Sequence, residues 1–121
     1  MRALPDKITT IHLPSGPVNV DGHGYLTDPG DWSTEFANHI AAEEGIHLTP
    51  LHSEVFRFMR QYLDDHGIAA DARFVLKFLA VRDGLTKSGA KQKMYQLFPY
   101  GYVKQACRIA GMKQPRAWST G

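Results

Sequence analysis

Cysteine is nearly absent from this chain of 121 residues. The one copy, Cys107, excludes an internal disulfide and fits a reducing compartment. Long apolar runs are missing too, and none approaches the roughly 20 residues that a membrane span needs. Met1 to Asp6 lack the apolar core of a signal peptide. The six histidines (His12, His23, His39, His47, His52 and His66) form neither an HExxH nor a Cys/His metal pattern, and no serine sits in a GxSxG setting. Gly22, Gly24, Gly101 and Gly111 make no phosphate-cradling motif. The acid pairs Glu43-Glu44 and Asp64-Asp65 are adjacent, so on a helix they splay apart and read as solvated faces. These absences predict a cytoplasmic protein with no metal, no cofactor, no small-molecule ligand, no membrane contact and no stand-alone enzyme active site.

Acid is scarce in one half only. Residues 1–70 carry four Lys and Arg against ten Asp and Glu, whereas residues 71–121 carry ten against Asp71 and Asp83. The basic half either faces something anionic, such as a nucleic acid, an acidic protein or an anionic sulfur species, or complements the acidic half inside one fold.

With 43% hydrophobic residues and 121 positions the chain is read as one domain spanning 1–121. Lys7–Leu13 alternates β-branched residues and meets Pro14-Ser15-Gly16, with Pro17–Val20 behind it, so residues 7–27 are assigned to a β-hairpin region. A helical bundle over 33–111 follows. Ser33 caps a helix to about Glu44, stopped by Gly45. Thr49 caps the next, with Pro50 first in it and Gly67 after it, and Val55, Phe58, Met59 and Tyr62 are its expected buried stripe. Asp71 opens a third helix, broken at Gly84; a fourth covers about Ala90–Leu97 and a fifth about Tyr102–Ala110, stopped by Gly111. Residues 112–121 are left as a flexible C-terminal arm. The expected fold is mainly α: an orthogonal five-helix bundle with an N-terminal β-hairpin. His39, His52 and His66 are expected at exposed or boundary positions.

Two sets of residues carry candidate chemistry. Cys107 lies one turn after Val103 and Lys104 and beside Arg108; nearby cations favour its thiolate, while the C-terminal end of a helix opposes it. The effects are of similar size, so its reactivity stays open against a role as a small core residue packed beside Val103 and Ala106. Arg73, Lys77, Arg82, Lys87, Lys91 and Lys93 could meet phosphates if two of the consecutive helices form a helix-turn-helix-like pair, and Lys87–Lys91 would suit backbone contact at a helix start. That surface makes a DNA-binding regulator an alternative function.

Four blocks, taken in order, resemble the DsrC/TusE family of sulfur-relay proteins, which includes the gamma component of dissimilatory sulfite reductase. They are DGHGYLTDPGDWS (21–33), AAEEGIHLTPLHSEVFRFMRQY (41–62), ARFVLKFL (72–79) and LFPYGYVKQACRIAG (97–111). The resemblance covers about residues 17–117. It implies a helical bundle with a hairpin and a mobile arm, and partners among sulfur-relay proteins or dissimilatory sulfite reductase. In members that traffic sulfur, a cysteine on the last helix stands eleven positions before the penultimate carrier cysteine. Cys107 matches the first; the carrier position falls on Trp118, and Ser119-Thr120-Gly121 run past the usual end. An indole cannot cycle through persulfide and trisulfide, whereas it can bury a large ring and anchor an arm. The resemblance therefore implies a non-carrier or regulatory paralogue, with Cys107 as its persulfide or redox site and Lys104, Arg108, Arg116 and Trp118 as arm and partner-facing residues. A single-cysteine sulfurtransferase is the other alternative.

Overall fold

A computed structural model describes residues 7–115; Arg116 and Trp118 lie outside them. Strands β1 (Thr9–Leu13) and β2 (Gly16–Val20) pair antiparallel, with Thr9 opposite Val20 and Leu13 opposite Gly16. Pro14 and Ser15 make the two-residue turn. Its tip is tied down because the Ser15 N–H donates to Glu35 Oε1 at 3.0 Å. Ile11, Leu13, Val18 and Val20 share the inward face, as the period of two requires. The chain then doubles back, Leu26 bridging to Val20, because the Asp21 carboxylate accepts from the His23 and Tyr25 N–H groups. That turn delivers Tyr25 and Leu26 into the core.

Four α-helices follow: α1 (Thr34–Glu44), α2 (Pro50–His66), α3 (Ala72–Asp83) and α4 (Lys87–Leu97). Each begins where a side-chain oxygen satisfies an early N–H: Ser33, Thr49, Asp71 and Thr86 in turn. The first three end at left-handed glycines, Gly45, Gly67 and Gly84. The start of α4 corrects the expectation of Ala90. Thr86 Oγ1 accepts from the Gly89 N–H at 3.0 Å, which adds a turn and occupies a donor that a bound anion would have used. The last helix is also not the regular one expected. Tyr102–Cys107 winds more widely, as a π-helix, before Arg108 and Ile109 tighten it, and the Met112 N–H reaches back five residues to the Cys107 carbonyl at 2.9 Å. With this fifth helix the described residues form the expected mainly α bundle with its N-terminal hairpin. None of the described helices is long and apolar enough to cross a membrane.

The core is a single cluster in which every helix takes part, among them Phe36 and Ile40 of α1, Val55 and Met59 of α2, Leu79 of α3 and Met94 of α4, closed by Phe98, Tyr102, Ile109 and Met112. The stripe of α2 is rotated from the expected one. Val55 and Met59 are buried, but Phe58 and Tyr62 stay partly exposed, and His52 and Phe56 take their places at the same i, i+3, i+4, i+7 spacing.

His52 is the larger surprise, being 4% exposed instead of at a boundary. It earns a core position because both ring nitrogens are satisfied. Nδ1 accepts from the Thr49 N–H at 3.0 Å, and Nε2 then donates to the Leu97 carbonyl at 2.8 Å, with the ring edge-on to Phe98. The hydrogen bond to Leu97 spans 45 residues of sequence and ties the start of α2 to the end of α4. Burial, the larger influence, lowers the pKa of His52 and keeps it neutral. A depressed folded pKa means that the unfolded chain takes up the proton first. The stability from this residue should be full above about pH 6.5 and should fall as the pH drops below that value. His52→Ala leaves the buried Leu97 carbonyl and the part-buried Thr49 N–H without their partner; chemical denaturation at pH 7.5 should show a loss of about 2–3 kcal/mol, and the variant should lose the part of the acid-side slope that His52 contributes.

Candidate functional site

The last helix is built into the middle of the molecule. Gly101, at φ 94°, turns the chain inward after Tyr100, and Tyr102, Gln105, Ala106, Cys107, Ile109, Ala110 and Met112 are all buried. Three sets of hydrogen bonds hold this segment. The Tyr102 hydroxyl donates to the Ala70 carbonyl before α3, and the Tyr25 hydroxyl donates to the Val103 carbonyl at 2.9 Å. Glu44, last residue of α1, accepts from Gln105 Nε2 at 2.8 Å and from Arg108 at 2.6 Å. The third set is a clamp at the exit. Trp32 Nε1 donates to the Ile109 carbonyl at 2.8 Å, and the Arg60 guanidinium, 4.7 Å over the Trp32 ring, donates to the carbonyls of Ala110 and Pro29. Gly111 permits the clamp: its φ is +82°, and a Cβ there would stand 2.4 Å from the Trp32 ring.

Cys107 lies inside this scaffold at 0% exposure. Burial pushes its thiol up to about 12; hydrogen bonding with Tyr102 pulls the other way and is outweighed. The cations expected to tune it are directed elsewhere. Arg108, 17% exposed at its side chain, donates to Glu44, to Glu43 at 2.9 Å and to the Gly24 carbonyl at 3.2 Å, and Lys104 is exposed. Sequence spacing put Arg108 next to Cys107, but adjacent residues on a helix point apart, and two carboxylates at the end of α1 fix the guanidinium. Burial also raises the Tyr25 hydroxyl to about 12.

These contacts place in one cluster the blocks that were quoted separately above: Tyr25 and Trp32 from the first, Glu44 and Arg60 from the second, Gln105 to Gly111 from the last. The DsrC like protein family model matches residues 14–117. The chain belongs to the DsrC-like family. Sulfurtransferase TusE of Yersinia pseudotuberculosis is 39% identical over 98 residues, covering 81% of this chain and 90% of that protein, and sulfurtransferase TusE of Escherichia coli K12 is equally similar over 89% of its length. Among solved structures, Allochromatium vinosum DsrC superposes with a TM-score of 0.79 at 32% identity, over 92% of this chain and 98% of that one. The oxidized gamma-subunit of the dissimilatory sulfite reductase (DsrC) from Archaeoglobus fulgidus does so at 0.78 and 29% identity, over 90% and 98%.

The residues that hold the last helix of this DsrC-like chain, namely Tyr25, Trp32, Glu44, Arg60 and Gln105, were not among the expected site residues. Only their places in the family-like blocks pointed to them. The basic residues fall on a different part of the surface. Arg73, Lys77, Lys87 and Lys91 line one groove of about 690 Å³ between α3 and α4, and Lys93 is not among its lining residues. Arg82 is bound to Glu54 and Asp83. The DNA-binding alternative has no support beyond these charges, and the anion contact expected at Lys87–Lys91 meets the helix start that Thr86 already caps.

The thiol gives a test of this geometry. An unfolded cysteine ionises near pH 8.5 and this folded one near 12. The stability it contributes is therefore full below about pH 8.5 and is lost as pH rises towards 12, at roughly 1.4 kcal/mol per pH unit within that window. Tyr25 and Tyr102 titrate in the same direction, so the quantity to follow is native minus Cys107→Ala stability between pH 7 and 10.5. A difference that stays flat would place the thiol in water.

Proposed function

We propose that this chain is a non-carrier member of the sulfur-relay family, acting in the cytoplasm by binding sulfur-relay proteins or dissimilatory sulfite reductase without passing sulfur itself. The class of partner comes from its relatives, named sulfurtransferase TusE and gamma-subunit of the dissimilatory sulfite reductase. One observation carries the non-carrier reading: the only thiol of the sequence is a core residue. At pH 7 a thiol with a pKa of about 12 is ionised on the order of one part in 10⁵, and the thiolate is the species that attacks a persulfide. Trp118, at the position where the family resemblance expects the carrier, adds to it. The redox-site and single-cysteine sulfurtransferase readings both require Sγ to meet a donor. In this fold Cys107 is fully buried, on a helix held by hydrogen bonds to Glu44, Tyr25 and Trp32.

Intact-protein mass spectrometry after incubation with a persulfide donor tests the proposal, with Cys107→Ser as the blank and a two-cysteine relative as the loaded control. The native chain should gain no sulfur while the relative is loaded, and should gain one sulfur after unfolding. It should also compete with the relative for a sulfur-relay partner in a pull-down. Stoichiometric loading of the native chain, absent from Cys107→Ser, would overturn the reading in favour of a sulfurtransferase.

A further inference from the structure

We propose that the outer face of α3 is a docking surface for an acidic, amphipathic helical segment of a partner protein. Phe74, Phe78 and Val81 fall at i, i+4, i+7 along this helix, the spacing by which one helix presents a seam to another. Elsewhere in the fold such a stripe is covered; here Phe74 is 40% and Val81 76% exposed. The seam is the wall of an apolar groove of about 410 Å³ whose far side is Phe58 and Tyr62 of α2. Its rings are already ordered: Phe58 stacks on Phe78 at 4.8 Å and Tyr62 on Phe74 at 5.3 Å. A partner would thus meet a preformed surface and would not have to order these side chains on binding.

Charge names the occupant. Lys77 borders this groove and also the one between α3 and α4, where Lys87 and Lys91 join it. Among the described residues none of these three lysines has a carboxylate within ion-pair distance, whereas Arg73 and Arg82 are paired with Asp71 and with Glu54 and Asp83. A second copy of the chain, related by a two-fold axis on α3, would bring the basic edge that carries Arg73 and Lys77 against the same edge of its partner. A nucleic acid would satisfy the lysines but leave Phe74 and Val81 uncovered, and the faces of Phe74 and Phe78 that could stack on bases are already turned to Tyr62 and Phe58. A helix with apolar residues on one face and carboxylates flanking them satisfies both features. The proposal does not rest on the sulfur-relay reading, since the seam uses none of the residues around Cys107.

The test uses the full chain, ¹⁵N-labelled, and three synthetic helical peptides: leucines at i, i+4, i+7 flanked by glutamates; the same leucines flanked by lysines; and serines in place of leucines among the glutamates. The first should bind with shift changes centred on α3 and the facing side of α2, and the other two should not bind. The double variant Phe74→Ser, Val81→Ser and the single Lys77→Glu should each weaken binding about tenfold. These side chains are exposed, so unchanged melting temperatures will separate lost docking from lost folding. The proposal is overturned if the acidic peptide fails to bind, if the lysine peptide binds as well, if the free chain is a dimer that the double variant dissociates, or if duplex DNA displaces the peptide from α3.

Discussion

The Glu44 carboxylate is the interaction on which the rest of this structure depends. It closes α1 and accepts from both Gln105 and Arg108, fixing the last helix against the N-terminal half of the chain. Gln105 is itself buried, and its carbonyl oxygen accepts from the Tyr100 N–H, so the network orders the turn into the helix as well as the helix. A partly buried carboxylate of this kind is tolerated only while its partners are present, because a desolvated charge without them is costly. Residues Tyr102 to Met112 then fill the space between the hairpin, α1, α2 and the start of α3. Each large apolar side chain among them, fully buried, contributes roughly 1.5–3 kcal/mol.

This constraint bears on function. Where the last helix of a bundle is a surface element, a cysteine on it is available for chemistry. In this chain the last helix is a core element, and Cys107, at the end of its π-wound stretch, is buried. The clamp of Trp32 and Arg60 adds a stop directly after it, at Gly111, where the residues change from buried to exposed within two positions. Met112 still belongs to the core and its N–H is bonded to the Cys107 carbonyl, so the exposed chain begins only at Lys113.

Much of the fold was legible because it is encoded locally. Ser33, Thr49-Pro50 and Asp71 announce helix starts by a side-chain oxygen three or fewer residues from the N–H it serves, and Gly45, Gly67 and Gly84 announce ends by tolerating a left-handed backbone. What stayed hidden was set by partners far along the chain. His52 looks like a surface residue until the Leu97 carbonyl is placed beside it, and Arg108 looks like a neighbour of Cys107 until Glu43 and Glu44 are. The rotation of the α2 stripe has the same origin: Phe58 and His52 fit the same helical period, and only the position of α4 decides which faces in. Thr86 was a local signal of the same type as Ser33, but Gly89 at the third helical position obscured it. The DsrC-like blocks pointed to Tyr25 and Trp32 as a group, though not to the hydrogen bonds they make.

The uneven charge of the two halves resolves into two parts. Some of it is internal, since Arg108 answers Glu43 and Glu44, and Arg82 answers Glu54, each pair joining the acidic half to the basic one. Those pairs explain why basic residues are needed in the second half, but not why Lys77, Lys87 and Lys91 gather along α3 and α4, where no carboxylate of the described fold reaches them. Folding stability gives no reason for such a cluster, because like charges on one face repel and exposed pairs would contribute little even if they formed. The same face carries the most exposed large apolar side chain of the described residues, Val81, which folding stability does not require either. Two features that each cost stability or solubility, placed side by side on one helix, are accounted for together by a partner that covers the apolar seam and neutralises the lysines.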